Sequence, residues 1–137
     1  NQSAGNEDFA SKLSKVATQV TARTPLKVRL EVIGTYRALP GMVENEMLRI
    51  AQEAVTNVVR HAAAQHIDIR LDFDARKVKM TITDDGRGLA SDADSSSANG
   101  HYGLQGMRER AEQIGAELTV VGGSGGGTQV VVEAPIH

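Results

Sequence analysis

The sequence contains no cysteine, and only 3% of its residues are aromatic. The first absence excludes a disulfide framework and a thiolate metal site. The second means that aliphatic side chains and methionine must fill the core. No apolar run reaches the roughly 18 residues of a membrane-spanning helix, and no signal-peptide pattern is present. The lack of cysteine fits a reducing compartment, and we expect a cytoplasmic domain that makes no direct contact with a membrane, in a parent protein that a segment outside this sequence could anchor to one.

A surplus of positive charge is also missing. Fifteen basic and 17 acidic residues give a net charge of −2, whereas a nucleic-acid groove usually has a basic surface. Nucleic acid is therefore not an expected partner. The 137 residues suffice for one domain with a hydrophobic core but hardly for two. Because the sequence starts at Asn1 and not at Met, we expect it to be a piece of a longer protein.

Hydrophobic periodicity and turn residues predict an α+β fold. Helices are predicted over residues 9–24, 42–64 and 103–115, and strands over 26–34, 66–74, 77–84, 116–123 and 128–135. The second and third strands alternate in polarity and meet at a short turn, which predicts an antiparallel hairpin. The order of elements indicates a two-layer α/β sandwich, with a mixed, mostly antiparallel sheet of about five strands and the helices on one face.

The first predicted helix carries a regular apolar seam. Its apolar positions are spaced by four, three and four residues: Phe9, Leu13, Val16 and Val20. This spacing is typical of a helix that packs on a coiled-coil partner. Pro25 follows the helix and ends it. We therefore divide the chain into an N-terminal helix with its linker, residues 1–24, and one domain, residues 25–137.

Four polar side chains fall on one face of the predicted helix 42–64. At about 100° per residue, Asn57, Arg60 and His61 lie within about one quadrant of Glu53. The opposite arc is aliphatic: Leu48, Ala51, Val55, Val58, Val59 and Ala62. A solvated face is one interpretation, because Glu and Arg favour helices. Asn57 argues against it, because Asn is unfavourable inside a helix.

The same face could serve a metal–triphosphate site. The amide oxygen of Asn57 can bind a hard cation such as Mg²⁺. Glu53, one turn away, could orient or deprotonate a nucleophile. Arg60 or His61 could bind phosphate oxygens. These four residue types suit such a site better than a random surface.

Residues 84–89 read DDGRGL and end a predicted strand. Asp-Gly is a strong hairpin signal, but no second strand follows, and the next residues are rich in Gly, Ser and Asp. Such a long stretch in a compact domain is usually a functional lid or disordered. The carboxylate of Asp84 only accepts hydrogen bonds, so it matches an amino group such as that of adenine. Gly86 and Gly88 would let the backbone pass close to a flat ring.

A second glycine cluster comes just before the third predicted helix. Gly100, Gly103 and Gly106 lie in the segment GHYGLQG, and free backbone N–H groups at a helix start form an anion site. The segment lacks the Gly-Lys-Ser/Thr ending of a P-loop. An acid that selects adenine, a helix face for Mg²⁺ and phosphate, and this anion site together point to ATP.

Four segments in sequence order resemble the boxes of a known family: RIAQEAVTNVVRHA (49–62), DDGRGL (84–89), GHYGLQGMRERA (100–111) and GGGTQVVVEAP (125–135). They are similar to the ATP-binding domain of sensor histidine kinases, and most similar to the subfamily that works with LuxR/NarL-type response regulators. The resemblance covers about residues 26–136. It implies the Bergerat-type ATPase fold, an α/β sandwich with a lid over the nucleotide, with ATP and Mg²⁺ as ligands.

The resemblance also implies roles for individual residues. Glu53 matches the catalytic acid, which acts as a base or orients the acceptor, and Asn57 matches the Mg²⁺ ligand. Asp84 matches the acid that binds adenine, which makes Asp85 the less suitable of the two acids. The remaining nucleotide-binding positions that the resemblance implies are Arg60, His61, Gly86, Gly88, Gly100, Tyr102, Gly103, Leu104, Gly106 and Thr128.

The implied function is transfer of the ATP γ-phosphoryl group to a histidine on a dimerisation domain, and from there to an aspartate of a response regulator. Kinases of this family carry the histidine in an upstream dimerisation helix, and none of the four histidines here lies in the N-terminal helix. We therefore expect an isolated catalytic domain of a homodimeric kinase, with residues 8–24 as the tail of its second dimerisation helix.

Three other functions are compatible with the same fold. One is an ATP-hydrolysing conformational clamp, as in gyrase-type topoisomerases, mismatch-repair ATPases and a heat-shock chaperone. A clamp carries a transducer domain, and no such segment is present in this sequence. The others are an anti-sigma-factor-type Ser kinase and a degenerate module that binds without catalysis. The presence of both Glu53 and Asn57 argues against the degenerate module.

Overall fold

The structure is a computed structural model, and it describes residues 8–86, 104–122 and 127–136, except for the side chains of His61 and Ala62. The predicted lid lies outside these ranges. So do four of the candidate nucleotide-binding residues: Gly88, Gly100, Tyr102 and Gly103. Among the helices that the structure describes, none has the length and the apolar character needed to cross a membrane.

Nine elements follow one another along the described residues: α1 (Phe9–Val20), β1 (Lys27–Ile33), α2 (Gly41–Asn57), a π-helical turn (Val58–Ala62), β2 (His66–Phe73), β3 (Lys77–Asp84), α3 (Leu104–Gln113), β4 (Glu117–Gly122) and β5 (Thr128–Pro135). The three predicted helices and the five predicted strands are therefore all present. Most of their bounds differ from the predicted ones by only a few residues.

The strands form one open, mixed sheet in the order β1-β2-β3-β5-β4. β1 runs parallel to β2, whereas the other three pairs are antiparallel. The predicted β2–β3 hairpin and the two-layer α/β sandwich are confirmed. In the turn between β2 and β3, the Asp74 carboxylate accepts hydrogen bonds from the backbone N–H groups of Arg76 and Lys77, at 2.8 and 2.9 Å.

Burial alternates along β2, β3 and β5, and this shows which side of the sheet faces the helices. The buried apolar side chains of these strands are Ile67, Ile69, Leu71, Phe73, Val78, Met80, Ile82, Val130, Val132 and Ala134. Successive side chains of a strand point to opposite faces, so every second residue enters the core. The same alternation buries Asp84 at the end of β3 and Thr128 at the start of β5. The sheet thus directs a carboxylate and a hydroxyl toward the helical layer.

The central helix of that layer is α2, which packs against both α1 and α3. Ion pairs support both contacts: Lys12 Nζ lies 2.8 Å from Glu44 Oε1, and Arg110 Nη1 lies 3.1 Å from Glu46 Oε1. Partly exposed pairs of this kind contribute only about 0–1 kcal/mol each. Apolar burial therefore dominates the packing. The apolar residues predicted for the third helix are all buried: Leu104, Met107, Ala111 and Ile114.

The apolar seam of α1 packs within the domain. Phe9, Leu13 and Ala17 are fully buried, whereas Val16 is only half-buried. The backbone N–H of Phe9 also donates a hydrogen bond to the Tyr36 hydroxyl at 3.0 Å. Packing on α2 therefore accounts for the seam. The division of the chain at residue 24 and the origin of α1 in a dimerisation region stay predictions.

The helix predicted over residues 42–64 is not α-helical throughout. α2 ends at Asn57, and Val58–Ala62 form a π-helical turn. Ala63 follows with a φ of 52°, a left-handed conformation that costs a residue with a Cβ about 1–2 kcal/mol. Such π turns are rare and are frequent at functional sites, and this one comes directly after Asn57.

The buried face of α2 also differs from the predicted one. The buried residues that the helical wheel missed are Val43, Met47, Ile50 and Ala54. Leu48, which the wheel included, is only half-buried. The reason is that α2 packs on two helices as well as on the sheet, so that its buried arc runs from about 60° to 200° relative to Glu53. Asn57, at about 40°, borders this arc and is only 6% exposed.

Candidate nucleotide site

Buried polar side chains are few, and most of them cluster. Four polar or charged residues are buried in the part of the chain that the structure describes: Thr21, Asn57, Asp84 and Thr128. Thr21 lies at the end of α1, and its hydroxyl donates to the carbonyl oxygen of Ala17 at 2.9 Å. The other three line one cavity. Burial of polar groups is costly, so their concentration at one place indicates a functional site.

The cavity lies between α2 and the ends of β3 and β5. It is lined by four apolar and three polar residues: Ala54, Val58, Ile82, Val130, Asn57, Asp84 and Thr128. A few polar groups in an apolar wall are typical of a small-ligand site. The volume is about 20 Å³, enough for about one water molecule. An adenine ring is larger, so the cavity lined by these residues does not by itself enclose a nucleotide.

Strand pairing and helix packing bring the three polar residues together. The register of β3 and β5 places Thr83 opposite Gln129, and Asp84 and Thr128 are the next residues toward the cavity. Asn57 ends α2 on the face that packs over the sheet. The polar floor is therefore built from three separate segments of the chain.

The carboxylate of Asp84 is held by backbone amides. Its Oδ1 accepts a hydrogen bond from the Gly86 N–H at 2.7 Å, and the Thr128 N–H also donates to the carboxylate. Burial raises the pKa of Asp84, the two amides oppose this rise, and the charge of Asp85 adds to it. A carboxylate has about four acceptor positions, so Asp84 can accept a further hydrogen bond from a ligand.

Asp85 is fixed by different contacts. Its Oδ1 accepts from the backbone N–H groups of Gln65 and His66, at 2.8 and 2.9 Å, and its Oδ2 lies 2.7 Å from His66 Nδ1. The hydrogen bonds from the backbone and ring of His66, followed by that from Gln65, lower the pKa of Asp85 to about 2. The two adjacent acids thus have opposite pKa shifts, because Asp84 is desolvated and Asp85 accepts hydrogen bonds from His66 and Gln65. Only Asp84 lines the cavity.

Several predicted site residues lie outside the cavity lining. Glu53 is exposed on α2, and Arg60 is exposed on the π-helical turn, where His61 also lies. Leu104 is buried at the start of α3. A Cβ built at Gly106 would have no atom within 4 Å, so packing does not require glycine there. The roles of these residues in nucleotide binding stay predictions, as do those of Asn57, Asp84 and Thr128.

Gly127 lies against the backbone of Asp84, and the sequence analysis does not identify it as a candidate site residue. Its φ is 87°, and a Cβ at this position would collide with the carbonyl oxygen of Asp84 and lie 3.6 Å from the Cα of Asp85. Only glycine adopts this conformation readily and allows the two backbones to approach so closely. The signal available in the sequence was its place directly before Thr128, where the strand begins.

We expect Gly127→Ala to weaken adenine-nucleotide binding by about tenfold or more, because the end of β3 would have to move away and take Asp84 with it. The matched control is Gly34→Ala. Gly34 has a φ of 85°, and its Cβ would collide with the carbonyl oxygen of Phe73. Both variants should lose similar stability in thermal melts, but only Gly127→Ala should lose affinity in calorimetry. Equal losses of affinity would contradict this role of Gly127.

The family model for histidine kinase-, DNA gyrase B- and HSP90-like ATPases matches residues 42–137. The chain belongs to this ATPase family. The segment matched to the ATPases contains every residue that lines the cavity. It begins after α1 and β1, which precede residue 42.

Similar proteins within the ATPase family are sensor kinases. Sensor histidine kinase LiaS of Bacillus subtilis is 32% identical over 124 residues, which cover 90% of this chain and 33% of that protein. Sensor protein VraS of Staphylococcus saprophyticus is 30% identical over 132 residues, which cover 96% of this chain and 37% of VraS. The chain spans about a third of the length of these curated relatives.

Solved structures show a similar fold. The EL346 blue-light activated histidine kinase of Erythrobacter litoralis superposes with a TM-score of 0.79 at 25% identity, over 94% of this chain and 42% of that chain. The agreement extends through most of the α/β sandwich. It supports the assignment of the ATPase family at the level of the fold.

Proposed function

We propose that this chain is the catalytic ATP-binding domain of a sensor histidine kinase, which binds Mg-ATP and transfers the γ-phosphoryl group to a histidine of a dimerisation domain. The observation that carries the proposal is the cluster of Asn57, Asp84 and Thr128 around one cavity, within the segment matched to the ATPase family. The names of the curated relatives support the kinase function over the other functions of this fold.

Adenine would bind over the floor of the cavity. Asp84 is a buried acceptor that two backbone amides hold in place, and it would accept a hydrogen bond from the amino group of the ring. The side chains of Ile82 and Val130 would contact the flat apolar surface. Thr128, also buried, would contribute its hydroxyl beside Asp84. Shape and one acceptor together would select adenine.

The amide oxygen of Asn57, in the cavity lining, could take one coordination position of a magnesium ion. In residues 8–86, 104–122 and 127–136, no group of three or more His, Cys, Asp or Glu is arranged to hold a metal. Asn57 supplies one amide oxygen, and Mg²⁺ commonly takes one or two protein ligands and completes its shell with water and phosphate oxygens. When bound, Mg²⁺ would neutralise negative charge on the triphosphate. Arg60 and His61, next along the chain, are the proposed phosphate contacts.

Transfer would break the bond between the γ-phosphorus and the oxygen of ADP and form a bond to an imidazole nitrogen of the acceptor histidine. That imidazole loses its proton. Glu53 is exposed one turn before Asn57, where an acceptor from another domain can reach it, and we assign it to orienting the imidazole and accepting the proton. Positioning and charge neutralisation supply most of the rate enhancement in such reactions.

The partners follow from this reaction. The dimerisation domain of a homodimeric parent kinase would present the histidine, and a response regulator, predicted to be of the LuxR/NarL type, would receive the phosphoryl group. Because the proposed reaction consumes ATP, we propose that it takes place in the cytoplasm. Phosphohistidine is acid-labile and phosphoserine is acid-stable, so acid treatment of the labelled product distinguishes this function from a serine kinase.

Isothermal titration with ATP, ADP and a non-hydrolysable ATP analogue, with and without Mg²⁺, tests the proposal. We expect all three nucleotides to bind, and the triphosphates to bind more tightly when Mg²⁺ is present. Asn57→Ala should lose this dependence on Mg²⁺ while still binding adenine nucleotides. Binding that does not change with Mg²⁺ in the native chain would refute the metal role, and no binding at all would refute the function.

A further inference from the structure

The carboxylate of Asp85 joins two segments of the nucleotide site. Its Oδ1 accepts from the backbone N–H groups of Gln65 and His66, and its Oδ2 contacts the His66 ring. Gln65 and His66 lie where the chain leaves the π-helical turn after Asn57 and enters β2. Asp85 itself directly follows Asp84. One carboxylate therefore ties the end of the helix that carries Asn57 to the end of the strand that carries Asp84.

We propose that Asp85 is a positioning residue, which holds Asp84 in the orientation needed for adenine recognition through its junction with Gln65 and His66. The inference rests on the proposed function, because it takes Asp84 as the group that accepts a hydrogen bond from adenine. It adds a residue that does not touch the nucleotide and acts through its neighbour.

Bond lengths indicate that the side chain of Asp85, and not its backbone, holds the end of β3 against the start of β2. The only backbone hydrogen bond that the structure gives for the Asp85 N–H runs to the His66 carbonyl oxygen at 3.3 Å, which is long. The side-chain bonds of Asp85 are 2.7 to 2.9 Å. The next amide, that of Gly86, donates to Asp84 Oδ1. Release of the Asp85 carboxylate would let the Gly86 amide shift, and Asp84 would lose one of the two amides that orient it.

Asp74, at the turn of the β2–β3 hairpin, makes backbone contacts similar to those that Asp85 makes at the open end. The Asp74 Oδ1 accepts from the backbone N–H groups of Arg76 and Lys77, and the Asp74 N–H donates to the Lys77 carbonyl oxygen at 3.0 Å. Both Asp74 and Asp85 are exposed. The eight-residue strand β3 separates them by about 25 Å. Asp74→Ala therefore removes an equivalent set of backbone contacts far from the cavity.

The test compares ATP with purine riboside triphosphate, which carries hydrogen in place of the adenine amino group. The native chain should bind ATP more tightly, because only ATP can donate to Asp84. Asp85→Ala should lower ATP affinity by about tenfold to hundredfold, the range for one lost hydrogen bond to a charged group. Its affinity for the analogue should change much less, so the preference for ATP should largely disappear.

The controls separate positioning from general destabilisation. Asp74→Ala should keep the native preference, and Asp85→Asn, whose amide oxygen can still accept from Gln65 and His66, should recover most of it. His66→Ala, which removes only the ring contact, should shift the preference in the same direction by a smaller amount. This variant also keeps the inference testable if Asp85→Ala does not fold.

The outcomes are distinct. ATP binding with a native preference in Asp85→Ala, or in His66→Ala where that variant replaces it, overturns the inference and leaves the proposed function intact. An equal loss of preference in Asp74→Ala also overturns the inference, because it would make the effect one of hairpin stability. A native chain that binds no ATP overturns the proposed function and the inference with it.

Discussion

Asp84→Ala should abolish measurable binding of adenine nucleotides, with a loss of affinity of about hundredfold or more. The side chain is 6% exposed and lines the cavity, and a hydrogen bond to a buried charged acceptor contributes about 1.5–3 kcal/mol. Loss of the acceptor would leave the adenine amino group unpaired in an apolar site, which adds a further penalty. Calorimetry with ATP and ADP measures the effect directly.

Asp68→Ala is a suitable control for this experiment. Asp68 is an exposed acid on β2 and pairs with Thr83 of β3. Its side chain lies on the face of the sheet away from the helices, whereas that of Asp84 lies on the inner face. Its removal changes the net charge by the same amount and should leave the affinity for ATP unchanged. Tight ATP binding by Asp84→Ala would remove the adenine assignment.

Asp84→Asn adds a signature in the pH dependence of stability. Burial raises the pKa of Asp84 in the folded chain, so ionisation of this group opposes folding. The stability of the native chain relative to the Asn variant should be highest below the ordinary pKa of about 3.9. It should fall as the pH rises through the raised folded value and then stay constant. A difference that grows with pH in denaturant titrations would contradict the desolvated environment of Asp84.

The layout of the fold could be predicted because local patterns determine it. β2 and β3 alternate between polar and apolar residues, and this period of two specifies a strand with one buried face whatever its partners are. The spacing of Leu104, Met107 and Ala111, by three and then four residues, likewise specifies the buried face of α3. The same alternation, continued by one step, places Asp84 on the inner face of the sheet. The burial of Asp84 on the inner face of the sheet could therefore be predicted from the sequence.

Other features depend on contacts between distant segments, and local patterns do not encode them. The π-helical turn after Asn57 has no distinct sequence pattern. Gly127 requires knowledge that β5 begins beside the backbone of Asp84. The contacts of Asp85 join residues that are 19 and 20 positions apart.

Glu53→Gln should leave ATP binding close to native and lower the rate of phosphoryl transfer by about 10²–10⁴-fold, the usual contribution of a general base. The side chain is exposed on α2 and does not line the cavity, so the substitution removes no contact from the adenine site. The rate is measured with labelled ATP and a separately supplied dimerisation domain that carries the acceptor histidine, and the affinity is measured by calorimetry.

The separation of rate from affinity is what identifies a catalytic role for Glu53. Glu112→Gln, which neutralises an exposed acid on α3, should change neither quantity. Equal rates for the native chain and Glu53→Gln would reduce Glu53 to a helix-surface residue. Loss of ATP affinity in Glu53→Gln would place it among the binding residues. A selective loss of rate would mean that the acceptor histidine meets the domain at the exposed face of α2, one turn from Asn57, and so fixes the direction from which the dimerisation domain approaches.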